Sequence, residues 1–92
     1  MNEIKGYFAS SKAGHDKGVV YFIVDADDVY AYLSDGKLRP IDKLKKKKLK
    51  HIQLIKERNC DLADKIDKNQ IIYNEEIKYA IKQITSKLKQ EV

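Results

Sequence analysis

The sequence has few of the residues that point to a secreted, membrane-spanning or metal-binding protein. Its 92 residues include one cysteine, which excludes an internal disulfide, and one cysteine with two distant histidines does not form a metal-ligand motif. No apolar run approaches the roughly 18 residues that a membrane span needs, and the first residues have no signal-peptide pattern. We therefore expect a cytoplasmic protein with no membrane partner and no metal.

The sequence also lacks the side-chain combinations that enzymes use. It contains no paired-acid motif, no nucleophile placed beside a base and no nucleotide-binding loop. Asp25, Asp27 and Asp28 lie close together without the twelve-residue pattern of a calcium loop, and we interpret them as a polar turn. We therefore predict a non-catalytic protein that needs no cofactor.

The positive charge, by contrast, is concentrated in one short window. Residues 1–36 have a net charge of −3, residues 37–58 have +8, and residues 59–92 have 0, within a chain whose formal charge is +5. Six of the ten Lys and Arg residues of this window lie in the lysine run from Lys43 to Lys50. A basic block of this kind favours a polyanionic partner such as RNA, and its alternative interpretation is a solvated, disordered charge block.

Short apolar segments separated by turn signals predict a β-rich first half. We expect five short strands, at residues 6–10, 19–24, 29–33 and 37–41 and around 52–54. Residues 12–18 are interpreted as a loop, because Gly14 and Gly18 permit a positive φ, and Asp35-Gly36 predicts a tight hairpin into the strand at 37–41. Short strands joined by tight turns favour a small barrel over a β-α-β unit.

The last third of the chain changes to helical spacing. Asn59 is expected to cap a short helix, and Asn74 a second helix with acids in its first turn. The second helix has a one-sided apolar stripe made of Ile77, Ala80, Ile81, Ile84 and Leu88. We expect the stripe to pack on the barrel, with a dimer or partner contact as the alternative. The chain therefore divides into a barrel, residues 1–56, and a helical extension, residues 57–92.

Three motifs, in order along the chain, resemble the small bacterial KOW-domain RNA-binding proteins. They are Ser11-x-Ala13-Gly14-x-Asp16-Lys17-Gly18 before an apolar strand, Asp35-Gly36-x-Leu38-Arg39, and a lysine run ending in Lys50-His51-Ile52. Those bacterial proteins in turn resemble KOW-containing large-subunit ribosomal proteins of archaea and eukaryotes. The resemblance covers roughly residues 5–55. It implies a mainly β fold, a small five-stranded SH3-like (KOW) barrel followed here by one or two helices, that binds RNA, with ribosomal RNA as the expected partner.

The resemblance and the charge window together indicate the candidate RNA-binding residues. They are Lys12, Gly14, His15, Asp16, Lys17, Gly18, Lys37, Arg39, Lys43, Lys45, Lys46, Lys47, Lys48, Lys50 and His51. Members of the family often carry arginine where this chain has His15 and lysine where it has Val19, so we expect residues 43–50 to supply most of the attraction. Asp16 is expected to form the turn by accepting backbone N–H groups.

The expected function is therefore that of a basic, monomeric RNA-binding protein associated with translation or the ribosome, with ribosomal proteins as possible neighbours. The alternative is a protein-interaction module that docks a transcription or ribosome factor through the barrel or the C-terminal helix. Tyr21, Tyr30 and Tyr32 lie on the predicted strands. We expect them to pack beneath the helical extension, with stacking on RNA bases as the alternative.

Overall fold

The computed structural model describes residues 3–90, in which five strands form one antiparallel sheet and two α-helices follow it. The strands are β1 (Tyr7–Ser11), β2 (Val20–Ala26), β3 (Tyr30–Ser34), β4 (Lys45–Lys48) and β5 (Ile52–Arg58). A 3₁₀ turn, Leu49–His51, joins β4 to β5, and the helices are α1 (Cys60–Asp67) and α2 (Asn74–Gln90). The predicted mostly β fold with a helical C-terminal part is confirmed.

The order of strands across the sheet is β4-β3-β2-β1-β5. The two edges are therefore β4 and β5, and among residues 3–90 no ladder of hydrogen bonds joins them. The closed barrel expected from the sequence is accordingly not found. The 3₁₀ turn interrupts the chain between the two edge strands, so that β5 forms its ladder with β1 and none with β4.

The fourth strand lies in the lysine run, and the strand predicted at residues 37–41 is wrong. The Asp35 carboxylate accepts the N–H groups of Lys37 and Arg39 at 2.8 and 2.9 Å, so Asp35-Gly36 begins a wider loop rather than a tight hairpin. The Asp35 N–H closes that loop on the carbonyl of Arg39, 3.1 Å away. Four lysines can form β4 because it is an edge strand, on which Lys46 and Lys48 stay exposed while Lys45 and Lys47 reach a carboxylate.

The two faces of the sheet carry separate apolar clusters, which we call the helix face and the loop face. As the alternation on β2 predicts, Phe22 lies on the helix face, while Tyr21 and Ile23 lie on the loop face. On the helix face, Phe8 and Phe22 pack with residues of the helical extension, namely Leu62, Ile72, Ile77, Ala80 and Ile84. The sheet therefore covers the apolar stripe of α2 from Ile77 to Ile84, as expected for a docked helix, while Leu88 at the end of the stripe is 37% exposed.

The N-termini of the two helices are held in different ways. Asn59 caps α1, as predicted, by accepting the N–H of Leu62 at 3.0 Å. The cap predicted for α2 is wrong, because the Asn74 side chain accepts the N–H of Ile41 at 2.8 Å instead. This bond ties the start of α2 to the segment between β3 and β4.

Gly36 allows the loop after β3 to approach the start of α2 closely. Gly36 has φ +76°, and a Cβ added there would lie 2.6 Å from the carbonyl oxygen of Asn74. Any larger residue would therefore push α2 away from the loop that follows β3. The segment 35–44 is consequently packed against the helical extension at both Gly36 and Ile41.

The described part of the chain has neither a helix that could span a membrane nor a cluster of metal-binding side chains. Across residues 3–90, each helix is too short or too polar to pass through a lipid bilayer. In the same range, no three His, Cys, Asp or Glu side chains lie close enough together to hold a metal ion.

Candidate nucleic-acid interface

Loop 12–18, which joins β1 to β2, is closed by its own backbone. Ser11 donates its N–H to the Val19 carbonyl at 3.0 Å, and Gly18 donates its N–H to the Ser11 carbonyl at 2.9 Å. Gly14 and Gly18 both have φ +88°, a conformation that residues with a side chain rarely adopt. Because the Gly18 N–H is used within the loop, it is not available to bond a phosphate.

Asp16 lies at the centre of the loop and bonds to four side chains. Its Oδ1 accepts hydrogen bonds from Ser11 Oγ at 2.8 Å and Lys47 Nζ at 3.1 Å. Its Oδ2 accepts one from the Tyr21 hydroxyl at 2.8 Å and pairs with Lys45 Nζ at 3.1 Å. The expectation that Asp16 accepts backbone N–H groups is therefore wrong. Its carboxylate, only 12% exposed, instead joins three strands, β1, β2 and β4, to the loop.

These contacts fix the protonation states of the cluster. Burial raises the pKa of the Asp16 carboxyl, but the four hydrogen bonds outweigh it and hold the pKa well below its usual range. The pKa of the Tyr21 hydroxyl is raised by burial and by its hydrogen bond to Asp16. Asp16 is consequently an ionised acceptor, and Tyr21 a neutral donor, over the whole physiological range of pH.

Lys45 and Lys47 point to the loop face of the sheet, where they meet Asp16. Their side chains are 26% and 11% exposed. Lys47 Nζ also donates to the carbonyl of Ala13 at 2.9 Å, so one ammonium group bonds to the loop at two points. These two lysines, predicted as RNA contacts, are occupied by bonds inside the protein. Their charge fastens β4 to loop 12–18.

Lys46 and Lys48 point to the opposite face of β4 and are exposed. They lie opposite Tyr32 and Tyr30 of β3, and Lys46 Nζ sits 4.2 Å from the centre of the Tyr30 ring, a cation–π distance. The two tyrosines are half-buried and belong to neither apolar cluster. The predicted packing beneath the helical extension is not found for them, and Tyr21 lies on the other face of the sheet.

The loop and the β4–turn segment meet along one junction. Besides the Asp16 contacts, Lys12 donates its N–H to the carbonyl of half-buried His51 at 2.8 Å. The basic side chains that remain exposed around this junction are Lys12, His15, Lys17, Lys46, Lys48 and Lys50. We call these six residues the exposed basic set. Two parts of the chain that the sequence separates by about thirty residues thus meet at this junction, with Lys46 and Lys48 on the face of β4 that points away from the loop.

Three further candidates, Lys37, Arg39 and Lys43, lie between β3 and β4 and are also exposed. No contact in residues 3–90 links their side chains to loop 12–18. Lys37 instead lines a groove against α2. No such contact therefore holds these three residues at the junction, although the charge of Arg39 acts on the Tyr21 hydroxyl and works to lower its pKa.

Sequence reasoning missed Ser11 and Tyr21 as partners of Asp16. A signal was present, because strand alternation puts Ser11 on the same face as buried Ala9, and a buried hydroxyl needs a hydrogen-bond partner. Tyr21 lies directly opposite Ala9 in the sheet, on that same face. Both hydroxyl groups are therefore aimed at the base of loop 12–18.

Comparison with protein-family models and with curated proteins finds no match for this chain. A functional assignment therefore depends on the geometry and charge of the junction itself.

Proposed function

We propose that this chain is a non-catalytic RNA-binding module of the KOW type, in which loop 12–18 and the β4–turn segment contact RNA together. The observation that carries the proposal is the junction around Asp16. The carboxylate bonds Lys45 and Lys47 on β4, so two motifs distant in sequence form one basic element. Structured ribosomal RNA is the proposed partner, and the cytoplasm is the proposed compartment.

An SH3-like barrel is the architecture that we propose for the sheet. Its support is the strand order, in which pairing follows the chain from β1 to β4 and the last strand returns to β1. The 3₁₀ turn gives further support, because only three residues separate the end of one edge strand from the start of the other. The two edges of the sheet must therefore approach each other there, as a strongly curled sheet requires.

The charge of the exposed basic set supports a phosphate partner. Within residues 3–90, none of its five lysines forms an ion pair, whereas Lys45 and Lys47 beside them are paired. Unpaired exposed ammonium groups are free to neutralise phosphates, and each neutralised phosphate releases counterions. Binding through this set would recognise the charge and shape of the RNA backbone, with limited recognition of the base sequence.

A protein partner that docks through the apolar stripe of α2 is not favoured. Ile77 and Ile84, which form the centre of that stripe, are 0% and 6% exposed because they pack against the sheet. A partner would have to displace the helix from the sheet before it could use this face.

The proposal is tested by the affinity for ribosomal RNA at about 50 and about 200 mM salt. We expect a loss of orders of magnitude over that range, since the logarithm of the binding constant falls by roughly 0.7 to 0.9 per neutralised phosphate for each tenfold rise in salt. The variant Lys12→Ala/Lys17→Ala should bind more weakly, with a shallower salt dependence.

The matched control is Lys56→Ala/Lys68→Ala, which removes the same charge from two exposed lysines outside the junction. Its affinity should stay close to that of the unchanged protein. An absence of binding at low salt, or a control that loses as much affinity as the loop variant, would contradict the proposal.

A further inference from the structure

A groove of about 640 Å³ lies between α2 and the start of β2, outside the junction described above. Val19 and Val20 form part of its wall on the sheet side, and Ile81 is part of its wall on α2. Its volume is in the range of sites that hold a ligand of nucleotide size. Nothing in the proposed role of loop 12–18 uses this groove.

The lysines that line the groove differ from the other lysines of the helical extension. The lining lysines are Lys37, Lys78, Lys82 and Lys89. Within residues 3–90, none of these four has an acidic partner within ion-pair distance. The helical lysines that point elsewhere and have an acidic partner are Lys65, Lys68 and Lys87, which pair with Glu76, Asp64 and Glu57. Among the described lysines of the helical extension, those without an acidic partner are therefore the ones that line the groove.

Asp35, the acidic residue of the groove lining, can compensate the charge of one of the four lysines. Its carboxylate already accepts the N–H groups of Lys37 and Arg39. The four lysine ammonium groups together with the Asp35 carboxylate give the groove a net positive charge. The ligand that complements it is an anion with several charges spaced along its length.

Apolar and aromatic surface accompanies the lysines. Tyr79 lines the groove with 63% of its surface exposed, and Val19 is 39% exposed. A flat exposed ring beside ammonium groups is the combination that binds single-stranded nucleic acid, because a base stacks on the ring while its phosphates meet the cations. An acidic peptide would use the charges but would not need the ring.

The groove is also continuous with loop 12–18. Val19 follows Gly18 in the chain, and its N–H donates to the Asp16 carbonyl at 2.9 Å, so the groove begins where the loop ends. An RNA held by the exposed basic set would therefore pass near the mouth of the groove.

We propose that the groove along α2 binds a single-stranded stretch of RNA, with the phosphates on the lining lysines and one base stacked on Tyr79. This inference rests on the proposed RNA-binding function and extends it to a second surface. The helical extension then supplies RNA contacts of its own, in addition to supporting the sheet.

The test uses the full chain and a single-stranded oligouridylate of about 15 nucleotides, with fluorescence anisotropy as the readout. Lys82→Ala/Lys89→Ala should lower the affinity and reduce the slope of log affinity against log salt by about 1.4, the value for two single-strand phosphate contacts. Tyr79→Ala should weaken binding by about 5- to 150-fold, the range for loss of one stacked base.

Two controls match these variants. Lys56→Ala/Lys68→Ala removes the same charge away from the groove, and Tyr73→Ala removes a ring that is 59% exposed outside the lining. Both should bind the oligouridylate as the unchanged protein does. Groove variants that behave like these controls would overturn the groove proposal while leaving the junction proposal in place.

The remaining outcomes separate the two proposals and the two classes of ligand. If the unchanged protein binds neither ribosomal RNA nor oligouridylate, the proposed function fails and the groove proposal fails with it. If oligoglutamate of the same length binds as tightly, and Tyr79→Ala does not change the affinity for oligouridylate, the groove is an acidic-peptide site and the nucleic-acid assignment is wrong.

Discussion

The lysines on the two faces of β4 have opposite surroundings. Lys45 and Lys47 reach the Asp16 carboxylate, each at 3.1 Å, while Lys46 and Lys48 point away from the loop and are exposed. The difference follows from the two-residue period of a strand, because successive side chains lie on opposite faces. A run of four identical residues thus contains two structural lysines and two that remain available to a ligand.

The position of β4 gives these lysines a second physical role. As an edge strand, β4 presents one side of its backbone to other chains, and lysines on an edge oppose unwanted strand pairing. That role requires charge at the edge but no RNA. Only measurements that separate the two faces can distinguish edge protection from RNA binding.

The largest effect that we expect is the loss of stability in Asp16→Ala. The change leaves the ammonium groups of Lys45 and Lys47 without their carboxylate, and the Tyr21 hydroxyl without its acceptor. We expect the free energy of unfolding to fall by about 2 to 4 kcal/mol, somewhat less than for a fully buried pair because Lys45 retains contact with water. Urea denaturation measures this change.

The control for Asp16→Ala is Asp42→Ala, which removes the same charge from an exposed carboxylate. Its free energy of unfolding should stay within about 0.5 kcal/mol of the unchanged protein. Equal stability of the two variants would mean that the Asp16 cluster does not hold the loop to β4.

A smaller effect should appear in the acid limb of the stability profile. The pKa of Asp16 is lower in the folded protein than in the unfolded chain, where it is about 3.9, so its contribution is complete near neutral pH and is lost as the pH falls below about 4. Between pH 6 and pH 3, the unchanged protein should lose about 1 kcal/mol more than Asp16→Asn. Urea denaturation at the two pH values supplies the comparison.

In the same experiment, Asp27 and Glu76 should contribute little to the stability lost between pH 6 and pH 3, although the pKa values of their carboxyl groups are also lowered. The first accepts backbone hydrogen bonds and the second pairs with Lys65, but both lie near the surface, where solvent weakens such interactions. If Asp16→Asn loses as much stability as the unchanged protein on acidification, the loss at low pH is caused by other carboxylates.

Local patterns in the sequence predicted much of the fold. The alternation on β2, the positive-φ glycines of loop 12–18 and the cap at Asn59 all depend on nearby residues, and all three are found. The stripe of α2 likewise predicts a docked helix, since apolar residues at helical spacing need a surface to cover them.

What the sequence did not predict depends on contacts between distant residues. The lysine run has no apolar alternation, so its strand character arises only from pairing with β3. Asp16 meets Lys45 and Lys47 about thirty positions away, and no local pattern indicates that pairing. Asp35-Gly36 is a strong hairpin signal, but the Asp35 carboxylate bonds farther along the chain and widens the loop.

The measurement that tests the central claim most directly compares the two faces of β4 in one RNA-binding experiment. Lys46→Ala/Lys48→Ala and Lys45→Ala/Lys47→Ala remove the same charge from the same strand. We expect the first variant to keep its stability within about 1 kcal/mol while its affinity for ribosomal RNA falls and its salt dependence becomes shallower. The second should lose stability and, at a temperature where it remains folded, should bind RNA more tightly than the first. Equal loss of affinity in the two variants would contradict the account, because the four lysines would then act as one undivided block of charge.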